Sequence, residues 1–222
     1  MAEAPLPRDP AAANPLGEIW LAGRTALLRA ARDTPEQLCL GLAAAGGVID
    51  VFTRFVVAGR GRPTLAQLGL GLILAGPVWG VLRVYGLAWT VFLMGRPLGG
   101  TATLPELRAA VVWSTLPRFA LLALWVPGFF VLGRELFTLR FYAAQGSGAA
   151  ALVALIVGLS VVIITGAELV LLDAQVATVQ GFTRLRALGN VVLAGLLIGI
   201  TLMAAVYLWL QIRAFEHAGA GA

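Results

Sequence analysis

Five apolar runs, at about 37–57, 66–94, 104–132, 149–172 and 187–210, each reach the roughly 20 residues that carry an α-helix across a bilayer. Inside hydrocarbon every backbone N–H and C=O must be bonded, and a helix does this within one segment. The runs therefore predict an all-α, polytopic membrane protein built as a five-helix transmembrane bundle. Composition agrees: charged residues are 12% of the chain, about half of the roughly 25% usual in soluble domains.

The few charges inside those runs constrain the bundle further. The third run places Arg118, directly after Pro117, near its middle. A guanidinium at that depth costs about 2.5–3.5 kcal/mol on insertion scales unless it meets an acid, water or protein. Asp50 and Arg54 interrupt the first run, Arg83 the second and Glu168 the fourth. Asp50 and Arg54 are four apart and share a helix face. Depths reckoned at about 1.5 Å per residue predict two pairs, Asp50 with Arg118 and Glu168 with Arg83, with Arg54 snorkelling outward or sharing Asp50. Three bases stand against two acids in this intramembrane network. The expected role is to fix helix register, and the surplus guanidinium offers a second one, attraction of a phosphate or carboxylate.

Glycine spacing marks helix contacts. Gly76 and Gly80 in the second run, and Gly195 and Gly199 in the fifth, each form a G-x-x-x-G that strips side chains from one face and lets a neighbouring helix approach. Pro77 removes a ladder hydrogen bond in the second run.

Before the first run, residues 1–36 divide into an Ala/Pro-rich start and a segment at 15–32 in which Leu16, Ile19, Trp20 and Leu27 recur at helical spacing opposite Glu18, Arg24 and Arg29. That pattern predicts an N-terminal amphipathic helix in the interfacial zone, capped by Asn14. Residues 37–213 form the membrane domain and 214–222 a short flexible tail. Arginines at 8, 24, 29, 32, 96, 108, 184 and 186 lie on one side of the five crossings, and those at 60, 62, 134, 140 and 213 on the other. The positive-inside bias puts the N-terminus in the cytoplasm and the C-terminus outside.

Several classes of chemistry find no support. The single Cys39 excludes an internal disulfide, and His217, the single histidine, has no metal-ligand companions. No metal or cofactor site is expected. Ser114 has no histidine or lysine in the spans to activate it, and no phosphate or dinucleotide loop occurs, so no catalytic residue is assigned. The net charge of +5 is carried entirely by arginine and punctuates apolar runs instead of clustering on a reading face, which speaks against nucleic acid.

The Gly-rich turn at 95–103, the string Ala110-Val111-Val112-Trp113-Ser114-Thr115-Leu116-Pro117, and the string Val179-Gln180-Gly181-Phe182-Thr183-Arg184-Leu185-Arg186-Ala187 resemble the Yip family. These are the Ypt/Rab-interacting five-span membrane proteins, and the chain looks most like their prokaryotic branch over about 34–213. The resemblance implies a cytosolic N-terminal region, association with prenylated small GTPases and with related membrane proteins, and a role in membrane organisation. The short N-terminal region lacks the aromatic-acidic strings of eukaryotic members, which speaks against small-GTPase binding here. The expectation is a non-catalytic scaffold or adaptor of a bacterial inner membrane, binding the lipid bilayer and other membrane proteins or itself through the Gly faces of spans two and five. The alternative is a small transporter, channel or lipid-handling protein with an Arg-lined cavity.

Overall fold

The computed structural model describes residues 33–58, 63–138, 146 and 148–219. All regular structure among them is helical. Five helices are long and apolar enough to cross a membrane: α1 (Glu36–Ala58), α2 (Leu65–Gly95), α3 (Leu104–Leu132), α4 (Gly148–Gln180) and α5 (Arg184–Gly219). The chain is a multi-pass integral membrane protein. The amphipathic helix expected at 15–32 lies outside the described residues.

Local chemistry accounts for the helix starts and interruptions. Thr64 and Thr103 each open a helix with a capping box, completed by Gln67 and Glu106. In the second, the Thr103 N–H donates to Glu106 Oε2 at 2.8 Å, satisfying a donor that the first turn leaves open. Within α2, Gly71–Ala75 widens into a π turn in which the Gly76 N–H reaches back to the Gly71 carbonyl. The turn sits directly ahead of Pro77, whose ring would crowd the carbonyl four residues back in a regular helix. Within α3, Leu116–Leu121 tightens to a 3₁₀ turn around Pro117 and Arg118. A further 3₁₀ turn, Gly133–Thr138, follows α3. The α4–α5 corner turns at Gly181, where φ is 72°, a conformation that glycine adopts without a Cβ clash.

Two helices turn out longer than the apolar runs. Helix α4 continues through Asp173 and Gln175 to Gln180, because its C-terminal turns pack Leu172, Val176 and Val179 into protein. Helix α5 continues past Arg213 to Gly219.

Helices α1 and α2 make the closest contact. A methyl on Gly76 would come within 2.9 Å of the Val48 Cα, and one on Gly47 within 2.5 Å of the Gly80 backbone. The Gly76/Gly80 face is thus filled by the chain's own α1 and is not open to a partner, contrary to the expectation for span two. Gly195 and Gly199 have open space where a Cβ would point.

The buried core falls into two parts. At the end carrying the 96–103 turn, Val91, Leu107, Ala110, Val176, Ala187 and Ala194 pack together. Toward the other end, Leu121, Trp125 and Phe137 form a second cluster, in which the Phe52 and Phe137 rings meet edge to face with centroids 5.6 Å apart. Apart from its C-terminal turns, α4 is largely exposed, and residues 201–210 of α5 are exposed throughout, as suits lipid-facing helices.

Candidate functional site

Arg118 is the centre of the intramembrane network and is only 7% exposed. The tight turn after Pro117 carries it, with Ser114 and Thr115 committing their hydroxyls to the carbonyls of Val111 and Val112 at 2.7 Å each. Those bonds satisfy the local polar groups and leave the Ser114 oxygen engaged with backbone.

The guanidinium meets carboxylates from two other helices. Its Nε donates to Glu168 Oε1 at 2.7 Å and its Nη2 to Glu168 Oε2, a fork-on-fork pair with α4. Its Nη1 lies 2.7 Å from Asp50 Oδ1 of α1, an ion pair with no N–H directed along it. One side chain thereby ties α1, α3 and α4. The bidentate geometry is the arrangement in which a guanidinium binds a carboxylate most strongly and most directionally.

Both expected pairs are present, Asp50 with Arg118 at 2.7 Å and Glu168 with Arg83 at the 4.0 Å limit of an ion pair, but the main partner of Glu168 is Arg118. Glu168 accepts two hydrogen bonds from Arg118, and Arg83 stands at the margin, its Nη1 4.0 Å from Glu168 Oε2. The reason is the true length of α4. Counted from Gln180, Glu168 stands about 18 Å along its helix, and Arg118 about 21 Å along α3 from Leu104, at 1.5 Å per residue. Ending the fourth span at Leu172 would have placed the acid too near the membrane surface.

Arg54 neither pairs with Asp50 nor enters the network. Among the described residues its contact is with an indole: the guanidinium carbon lies 4.6 Å from the Trp79 ring centroid. Trp79 in turn donates Nε1–H to Asp50 Oδ2 at 2.9 Å. Asp50 thus has one oxygen on Arg118 and the other on Trp79, and Trp79 separates it from Arg54. Nothing in the i, i+4 spacing signals this, since the indole comes from a different helix.

Two further polar groupings escaped the sequence. Glu36 at the start of α1 accepts the Tyr85 hydroxyl of α2 and Arg108 Nη1 of α3, the latter at 3.1 Å, while Arg108 lies 4.9 Å from the Tyr85 ring centroid. Beside them Trp113 Nε1 donates to Thr34 Oγ1 at 2.8 Å. At the α4–α5 corner, Gln180 receives the Ala102 N–H and fills the space left by Gly95 and Gly100. Among the described residues no three of His, Cys, Asp and Glu come together as a metal site.

No protein-family model, curated protein or solved structure matches the chain.

The arrangement joins spans and neutralises charge. Arg118 is buried and has a carboxylate on each side, Glu168 hydrogen-bonded to Nε and Nη2 and Asp50 ion-paired at Nη1, so the deepest guanidinium is enclosed by the chain's own acids. Of the intramembrane charges, Arg54 is exposed, and Arg83 and Asp50 keep 26% and 18% of their side chains exposed.

Proposed function

We propose that this protein is a Yip-like, non-catalytic scaffold or adaptor that organises other proteins in a bacterial inner membrane, with its N-terminus in the cytoplasm and its C-terminus outside. The observation that carries this reading is that Arg118 is held between carboxylates of two other helices, Glu168 and Asp50. The strongest polar interaction in the spans is spent on clasping three helices, as a fixed frame requires, and not on lining a path. A transporter would keep its buried charges accessible to water on one side or the other.

The available surface for partners is α5. Its inner turns dock through Ala187 and Ala194, while Gly195 and Gly199 face outward with nothing against them. A G-x-x-x-G face left free on a lipid-exposed helix suits close association with another membrane helix, including that of a second copy. Enzymatic activity forms no part of the proposal.

The test is a pair of measurements on the full chain. In the native membrane, with Cys39 replaced by alanine, a cysteine at Gly195 or Gly199 is expected to give a disulfide-linked pair of copies or a link to another membrane protein. Purified protein in liposomes is expected to pass no anion or cation above the rate of empty vesicles. Flux that disappears in Arg118→Gln, at unchanged folded yield, would replace the scaffold with a transporter.

A further inference from the structure

Of the three intramembrane arginines Arg54, Arg83 and Arg118, Arg54 has no carboxylate partner among the described residues, and its position identifies what supplies a counter-ion. Asp50 is the acid nearest to Arg54 along α1, and both of its oxygens are taken, by Arg118 and by Trp79. Glu168 is held by Arg118. Arg54 is left with the face of the Trp79 indole, 4.6 Å from its guanidinium carbon, a cation–π contact that uses the charge of the guanidinium and none of its N–H donors.

Arg54 is exposed, on the side of α1 that faces lipid. It is four residues from the end of the helix at Ala58, about 6 Å at 1.5 Å per residue, and thus near the depth of phospholipid phosphates in the leaflet on that side. A groove of about 330 Å³ begins there and is lined by Val51, Arg54, Ala75, Val78, Trp79 and Leu82. From Ala75 to Leu82 the α2 wall runs about 10 Å toward the middle of the membrane, and apart from the arginine and the indole N–H it is apolar.

We propose that this groove binds one anionic phospholipid, with its phosphate on the Arg54 N–H edges and the first part of an acyl chain along Val51, Val78 and Leu82. Planar, two-point donation from a guanidinium matches phosphate oxygens. The groove's single charged end and apolar length match an amphiphile and not a free inorganic anion, which would leave the wall empty. A lipid with net negative charge is selected over a zwitterionic one because the intramembrane side chains Arg54, Arg83 and Arg118 outnumber Asp50 and Glu168 by one positive charge.

The site is tested on the full chain, purified in detergent and equilibrated with equal amounts of phosphatidylglycerol and phosphatidylcholine before native mass spectrometry. The wild type is expected to retain one phosphatidylglycerol with at least about tenfold preference. Arg54→Gln should abolish the preference, and Val78→Trp, which fills the groove while keeping the charge, should lower retention of the lipid. Arg96→Gln, at the opposite end of α2, should behave as wild type. A photoactivatable phosphatidylglycerol, used on the unmodified chain, should label residues 51–54 and 75–82. Equal retention of the two lipids by the wild type, an unchanged preference in folded Arg54→Gln, an equal loss in Arg96→Gln, or labelling confined to other segments would each overturn the site.

Discussion

Arg118 and Glu168, 50 residues apart in the chain, are joined by two parallel hydrogen bonds, Nε to Oε1 at 2.7 Å and Nη2 to Oε2. Asp50 completes the clasp from a third helix at 2.7 Å. An ion cluster of this kind need not stabilise a fold relative to apolar residues, but removing one member leaves the others buried and uncompensated.

Arg118→Ala is therefore expected to cost about 3–5 kcal/mol, the range for breaking a buried pair, and to lower folded yield. Neutralising the partners should recover part of the loss. Because Glu168 holds two of the contacts and Asp50 one, Arg118→Gln with Glu168→Gln should recover more than Arg118→Gln with Asp50→Asn. Thermal denaturation in detergent ranks the variants, and the reverse order would contradict the geometry.

At the α1–α2 contact the methyl of Gly80→Ala would overlap the Ala43 carbonyl oxygen. Backbone cannot move aside as a side-chain tip can, so the loss should lie at or above the upper end of the ~1–3 kcal/mol typical of overpacking. Gly199→Ala, with open space around it, should stay within about 0.5 kcal/mol of wild type. The difference between the two melting temperatures is the measurement.

Cys39, the one cysteine of the chain, is buried beside α1's first turn. A maleimide is expected to leave it unlabelled in the native protein and to label it stoichiometrically in denaturant. Fast native labelling would mean that the end of the bundle at the start of α1 opens readily.

Orientation is checked by reporters. If the C-terminus lies outside, as proposed from the arginine bias, a periplasm-dependent enzyme fused after Arg213 should be active and a cytoplasm-dependent one silent. The opposite pattern would invert the proposed topology.

The five crossings were legible in the amino-acid sequence because the requirement behind them is local: each helix satisfies its own backbone and needs only enough apolar residues to cover the hydrocarbon. The same held for Pro117 and Pro77, which disturb their own helices, and for the need of Arg118 for an acid. Which acid was not local. The fourth span extended past its apolar run to Gln180 because its C-terminal turns are buried against protein, and that shift brought Glu168 level with Arg118 and left Arg83 at the margin. The G-x-x-x-G at Gly76 and Gly80 looked the same on paper as that at Gly195 and Gly199, yet one is filled by α1 and the other is bare. Trp79 standing between Asp50 and Arg54 likewise depended on how α2 lies against α1. Sequence alone determined that the chain crosses the membrane five times and that its buried arginine requires an acid. The tertiary structure decided the pairing, because a partner is chosen by the relative depth and rotation of two helices, and neither is encoded in the residues of one.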